Sequence, residues 1–108
     1  LYGDMCGGLA PIGDLLKSQV VELCHWINSQ RQVIPEEIIT RPPTAELREN
    51  QKDEDSLPPY KQLDPMIEKL IVQNKKPATD LERDIYRRIQ LAEFKRKQSA
   101  PILRVSDK

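Results

Sequence analysis

The stretch Asn74-Lys75-Lys76-Pro77-Ala78-Thr79-Asp80-Leu81-Glu82 decides the fold class, because it closes one helix and opens another. Pro77 has no N–H and pushes the residue before it out of helical backbone, so a helix arriving from upstream stops at Asn74–Lys76. Thr79-x-x-Glu82 is a capping box, in which the hydroxyl and the carboxylate each accept a free N–H of the first turn. Downstream of it Leu81, Ile85, Ile89 and Ala92 recur at helical spacing. Upstream, Leu63, Met66, Ile67, Leu70 and Ile71 mark another helix, with Asp64-Pro65 read as its cap and first position.

Toward the N-terminus, Ile12, Leu16, Val20, Leu23 and Ile27, with Leu15 and Cys24 beside them, give an amphipathic helix over about residues 14–29. Asp14 stands at its start, where a carboxylate complements the unpaired N–H groups and the dipole. Lys17 projects from the same first turn, the end at which a cation is electrostatically disfavoured. Before this helix, Gly3, Gly7, Gly8 and Pro11 make a loop. Six of the nine prolines fall within residues 35–65, which excludes one long helix or a central strand there. A short helical turn over Pro35–Ile39 and an irregular loop from Arg41 to Asp64 are expected. With no strand pattern and no repeat, the expected fold is mainly α: about three helices plus a long loop.

At 108 residues and 12.5 kDa the chain has the length of one small domain with a modest core. Seventeen basic residues balance seventeen acidic ones, so no net field favours nucleic acid or a membrane surface. No apolar run is long enough to span a bilayer, and no charged, apolar leader opens the chain. On that basis neither a membrane nor a secretory protein is expected, and a cytoplasmic protein is. Cys6 and Cys24 are too few for a disulfide framework and read as reduced thiols. Cys24-His25 is the only pairing with metal character, and a single histidine leaves four zinc ligands out of reach, so no metal site is expected. The chain begins with Leu1 rather than Met, and it is read as a piece of a longer protein.

Two segments carry chemistry. Arg83, Arg87, Arg88, Lys95, Arg96 and Lys97 set six cations against Asp84 and Glu93, a donor set suited to phosphate oxygens or simply a solvated helix face. Few aromatic residues interleave for base stacking, which argues against nucleic acid. Thr44, in Pro43-Thr44-Ala45-Glu46-Leu47, either presents its hydroxyl to a ligand or caps a short turn through Leu47. The acidic segment Glu46–Ser56 reads by composition as a solvated loop.

Taken together, these segments resemble glutamine-dependent NAD+ synthetase. The resemblance rests on Arg41-Pro42-Pro43-Thr44-Ala45-Glu46-Leu47-Arg48, on Gln51-Lys52-Asp53-Glu54-Asp55-Ser56-Leu57-Pro58-Pro59-Tyr60, and on Leu63-Asp64. It extends to Tyr2-Gly3-Asp4-Met5 with Gly7-Gly8, to Pro11-Ile12-Gly13-Asp14 with Lys17, and to Glu93-Phe94-Lys95-Arg96-Lys97-Gln98 with Pro101. The order and rough spacing agree over nearly the whole chain.

The resemblance implies a carbon–nitrogen ligase. ATP would adenylate the nicotinate carboxylate of deamido-NAD+, with Mg2+ screening the phosphates, and ammonia would then displace AMP to give NAD+. In the glutamine-dependent branch a nitrilase-like amidase domain supplies the ammonia. Residue by residue, Lys17 and Thr44 match ATP contacts, and Lys95 matches the lysine that reaches deamido-NAD+ from the neighbouring subunit of a dimer. The loop over residues 41–60 resembles a substrate-covering loop, and Asp55 within it is the candidate for holding ammonia or metal. The parent would be a homodimer or higher homo-oligomer built on an α/β parallel-sheet domain of the adenine-nucleotide-alpha-hydrolase type.

Two departures from the ammonia-only branch, Gly8 for an aspartate and Phe94 for a histidine, place the chain with the glutamine-dependent branch. No Ser-Gly-Gly-x-Asp-Ser pyrophosphate loop occurs. Residues 1–108 are therefore read as the C-terminal part of the ligase domain, without the amidase domain and binding no cofactor or catalysing anything alone. The rival reading is a helical interaction module whose basic helix over residues 83–97 holds an anionic partner.

Overall fold

The computed structural model describes residues 7–44 and 49–106. Two compact units divide the chain: Leu16–Pro65, and Leu1–Leu15 together with Met66–Lys108. Among the described residues there is no strand, only a single parallel bridge pair, Ala10 with Ile102. The mainly helical expectation holds, with five helices among the described residues where three and a turn are expected. None of the described helices is long and apolar enough to cross a membrane.

In the first unit α1 runs over Lys17–Gln30 and α2 over Glu36–Thr40. The sequence placed the start of α1 at about residue 14 with Asp14 as its carboxylate, and this is corrected. Residues before Leu16 form tight turns instead, with Gly13 N–H on the Ala10 carbonyl and Leu15 N–H on the Ile12 carbonyl. The helix is capped by the backbone of Leu16, whose own N–H donates to Gln19 Oε1 at 2.8 Å. After α1, Asn28 folds the chain back: its Oδ1 accepts from Val33 and Ile34, and its Nδ2 donates to the Ile34 carbonyl. Pro35 directly precedes α2 and accepts the Ile38 N–H, so it sits one position earlier than the first helical position expected of it.

The long loop is shorter than expected. It contains a 3-10 turn over Asp53–Asp55, and α3 begins at Tyr60 and runs to Ile67. Pro59 starts this helix, its carbonyl accepting from both Gln62 and Leu63. Asp64-Pro65 is therefore not a cap and first position; both residues lie inside α3, and Asp64 is buried. Lacking an N–H, Pro65 leaves the Lys61 carbonyl without its usual intrahelical donor. A turn later the helix widens, with Gln73 N–H reaching back five residues to the Glu68 carbonyl across a π turn at Glu68–Val72.

In the second unit Asn74 adopts left-handed backbone (φ 50°) just after that turn, and the chain leaves the helix before Pro77, as read. Next come α4, Asp80–Leu91, and α5, Glu93–Gln98. Thr79 caps α4 with its hydroxyl on the Glu82 N–H at 3.1 Å, while Glu82 Oε2 accepts from Ala78 N at 2.7 Å and Thr79 N at 3.4 Å. The buried face of α4 carries Ile85 and Glu82, whereas Leu81, read as part of the apolar stripe, is exposed. Segment 101–106 straps back onto residues 10–14. Ala10 N–H donates to the Pro101 carbonyl, and Asp14 Oδ2 accepts from Val105 and Ser106 at 2.8 and 2.7 Å. Asp14, 5% exposed, thus serves the chain end rather than α1.

The core is small. Leu63 is buried in the first unit, and Leu70, 1% exposed, and Ile85 are buried in the second. No residue of α1 is buried, so its apolar stripe of Val20, Leu23 and Ile27 stays at least partly open to solvent.

Candidate active site

The candidate residues of the first unit hang on two polar anchors at the start of α3. Tyr60 and Asp64 are four residues apart and so share one helix face. Tyr60 Oη donates to Asp53 Oδ2 at 2.6 Å, and the Asp53 N–H donates to the Pro43 carbonyl at 3.0 Å. This chain of bonds ties the 3-10 turn to α3 and to the residue preceding Thr44. Asp64, 4% exposed, accepts with Oδ2 from the Ser18 N–H at 2.7 Å and from Ser18 Oγ at 2.5 Å. It holds the N-terminal turn of α1, where Lys17 is the first helical residue.

The electrostatics follow the geometry. The Tyr60 phenol is pushed up to about 12 from an ordinary value of 10.0. Burial contributes most, then the hydrogen bond to Asp53, then the negative charges of Asp53 and Asp64. Tyr60 is therefore a neutral donor at physiological pH, and the Asp53 carboxylate stays its acceptor.

Each residue singled out from sequence has a clear place. Lys17 is exposed on the first turn of α1. Thr44 is half-buried next to the anchored Pro43. The turn it was thought to cap, through Leu47, lies outside the described residues. Asp55 is exposed at the end of the 3-10 turn, with Oδ2 accepting the Lys52 N–H at 2.9 Å, so part of its role is to close that turn. Lys95 belongs to the second unit, exposed on α5. Lys17, Thr44 and Asp55 thus share one unit, which Lys95 does not. Cys24 is a half-buried free thiol and His25 beside it is exposed; Cys6 lies outside the described residues.

The stretch 83–97, expected as one basic helix, is divided at Ala92 between α4 and α5, and it is less basic than its composition. Arg83 pairs with Asp80, Arg88 with Asp84 at 2.9 Å, and Arg96 with Glu93. The Arg96 guanidinium lowers the Glu93 carboxyl below its usual range and is itself raised. Half of the six cations are therefore engaged along their own helix, which weakens the reading of this face as an anion-binding surface.

The sequence model of the family described as NAD synthase matches residues 1–99 of the chain. This chain belongs to the NAD synthase family. A glutamine-dependent NAD(+) synthetase of Synechocystis sp. is 46% identical over 116 residues, covering 100% of this chain and 21% of that protein. One of Xanthomonas campestris pv. campestris is 44% identical, covering 98% of this chain and 21% of its own length. A third, of Aquifex aeolicus, is 46% identical over 94% of this chain and 19% of its own length. The chain thus spans about a fifth of the length of these relatives. No solved structure matches it.

Sequence reasoning missed the residues whose hydrogen bonds tether the blocks bearing Lys17, Thr44 and Asp55: Ser18, Asp53, Tyr60 and Asp64. Asp64 carried a signal, since Leu63-Asp64 closes the block on which the resemblance rests, but it was taken for a local cap. Its partner lies 46 residues away, beyond the reach of any local pattern.

Proposed function

We propose that residues 1–108 are the C-terminal part of the ligase domain of a glutamine-dependent NAD+ synthetase, a domain built on a parallel α/β sheet. In this reading the intact protein adenylates deamido-NAD+ with ATP, releasing pyrophosphate. It then amidates the acyl adenylate with ammonia derived from glutamine, giving NAD+ and AMP. The observation that carries the reading is the tethering of the blocks bearing Lys17, Thr44 and Asp55 within one unit, through Asp64–Ser18 and Tyr60–Asp53–Pro43, in a member of the NAD synthase family.

The chemistry assigns each residue a task. A carboxylate is a poor electrophile until a good leaving group is attached, and the adenylate so formed must be kept from water. Lys17 supplies a mobile point charge to ATP phosphate oxygens, which accounts for a cation at the unfavourable end of α1. Thr44 offers its hydroxyl to ATP, and the anchored Pro43 fixes where that hydroxyl stands. The loop over residues 41–60 covers the adenylate, with Asp55 facing the incoming ammonia. Lys95 reaches deamido-NAD+ of the neighbouring subunit in a homodimer or higher homo-oligomer, and the enzyme works in the cytoplasm.

Mg2+ accompanies ATP as its counter-ion. The described residues do not fit a resident site for it: no three His, Cys, Asp or Glu side chains cluster, Asp53 is engaged by Tyr60, and Asp55 by the Lys52 N–H. No step here is routed through the metal.

The test is NAD+ formation by the intact protein from deamido-NAD+, ATP and glutamine, with Thr44→Ala and Lys95→Ala beside the wild type. Turnover by the wild type, with kcat/KM falling at least about tenfold in both variants, is the expected result. A wild type that makes no NAD+ from glutamine or from ammonia overturns the assignment.

A further inference from the structure

We infer that Asp64 is a positioning residue for ATP, acting through Ser18 on Lys17; the inference rests on the proposed role of Lys17. The first turn of α1 lacks a capping side chain of its own. Leu16 occupies the cap position and has no oxygen on its side chain, so the free N–H groups of that turn need partners from elsewhere. Gln19 takes the Leu16 N–H from within the helix. Asp64 takes the Ser18 N–H and the Ser18 hydroxyl with a single oxygen, from a position 46 residues downstream and inside a different helix.

Three consequences follow. Lys17 precedes the clamped residue, so its backbone is fixed to α3 and cannot fray with the helix end. A flexible lysine stem gains reach but loses precision, and pinning its Cα restores part of that precision before ATP arrives. The clamp also assigns the work of phosphate binding. A helix N-terminus ordinarily draws anions through its N–H groups, but here a buried carboxylate already occupies the Ser18 donor. Attraction for ATP at this end of α1 falls to the Lys17 ammonium. Finally, Asp64 lies one turn beyond Tyr60 on α3, so the helix that pins Lys17 also holds the Asp53 turn bonded to Pro43. The spacing between Lys17 and Thr44 is thereby set by one rigid element.

The experiment measures steady-state kinetics of the intact synthetase, supplied with ammonia, for Asp64→Asn, Ser18→Ala, Ser18→Thr, Lys17→Ala and the double variant Lys17→Ala/Asp64→Asn. Asp64→Asn is expected to lower kcat/KM for ATP about tenfold, the scale of one charge-assisted hydrogen bond. KM for ammonia and for deamido-NAD+ should stay within about twofold, since uniform damage would move all three. Ser18→Ala should show a smaller loss in the same parameter, and Ser18→Thr, which keeps the hydroxyl, should restore it. In the Lys17→Ala background Asp64→Asn should change kcat/KM for ATP by less than about twofold, because the residue it positions is gone.

Asp64→Asn with unchanged ATP kinetics, while Lys17→Ala is impaired, overturns the positioning role and leaves the function of Lys17 standing. Equal losses for all three substrates, or additive losses in the double variant, overturn it as well, marking Asp64 as structural only. If Lys17→Ala itself binds ATP normally, the underlying reading falls and this inference with it. Should Asp64→Asn fail to accumulate, the Ser18→Ala and Ser18→Thr pair decides alone: loss and rescue confined to ATP support the inference, and no ATP-specific difference overturns it.

Discussion

Tyr60 Oη and Asp53 Oδ2 lie 2.6 Å apart, joining the first turn of α3 to the acidic 3-10 turn seven residues earlier. The phenol must be neutral to donate, and burial together with two nearby carboxylates raises its pKa from 10.0 to about 12. A group whose folded pKa lies above its unfolded one contributes stability that is fully present below the unfolded value. That stability is lost as pH rises through the folded value, so the window runs from pH 10 to about 12. Tyr60 is only partly buried, so the contribution is discounted for solvent screening to on the order of 1 kcal/mol. Tyr60→Phe should flatten stability over that window, and an absorbance titration should lose its latest tyrosinate step. A wild-type titration in which every tyrosine ionises near pH 10 would sink the idea.

The start of α4 makes a second case at the opposite end of the pH scale. Glu82, 8% exposed, accepts from Lys69 Nζ at 2.6 Å and from Ala78 N–H at 2.7 Å. Its carboxyl is held below the usual 4.5, first by the Lys69 hydrogen bond and then by the Ala78 N–H. A depressed carboxyl contributes stability present above the unfolded value and lost as pH falls through the folded one. Thr79→Ala should lower stability by about 1 kcal/mol at neutral pH, as an N-cap loss does. Glu82→Ala should be the more damaging change, since it also strands Lys69 and the Ala78 N–H. Glu82→Gln should remove part of the wild-type loss below pH 4.5 in acid denaturation monitored by circular dichroism. Indistinguishable acid profiles for Glu82→Gln and wild type would refute this.

Asp14 gives the third expectation. Its Oδ2 accepts two successive N–H groups, Val105 and Ser106, more than ninety residues away. Asp14→Ala leaves both donors to water, and because Val105 is itself exposed the segment can peel rather than remain strained. The cost should be about 1–2 kcal/mol. Amide exchange at Val105 and Ser106 should accelerate far more than in α4. Asp14→Asn, which keeps an acceptor oxygen, should fall between. Unchanged exchange in Asp14→Ala would show that the strap does not depend on this carboxylate.

How much of the fold was legible in the sequence depended on whether a residue's partner was local. Thr79 and Glu82 form a box spanning four residues, and both its presence and its effect on α4 were readable. Asn74 and Pro77 likewise stop a helix by their own backbone preferences. Asp14 and Asp64 were both taken for local caps because a carboxylate beside an apolar periodic run usually is one. Each instead serves a partner far along the chain, Ser106 and Ser18 respectively. The start of α3 at Tyr60 was hidden by Pro65, whose presence in a helix interior outweighs most local signals. Lys17, Thr44, Asp55 and Lys95 take their roles from family likeness, whereas the bonds that hold the first three in place leave no sign in the sequence beyond Asp64 in the Leu63-Asp64 pair.

Trp26 provides the last test. It is the chain's sole tryptophan, 62% exposed on α1, a helix that buries none of its residues. Leu23 beside it is also exposed, so the two present apolar surface that water solvates poorly. If a sheet of the proposed ligase domain packs on α1, the chain produced alone should be of low stability and should self-associate as concentration rises. Trp26 emission should then move from the wavelength of a solvated indole toward the blue, together with an increase in sedimentation coefficient. Leu23→Glu should suppress both changes by charging the same face. A wild-type chain that stays monomeric with red-shifted emission at high concentration would mean this face needs no cover.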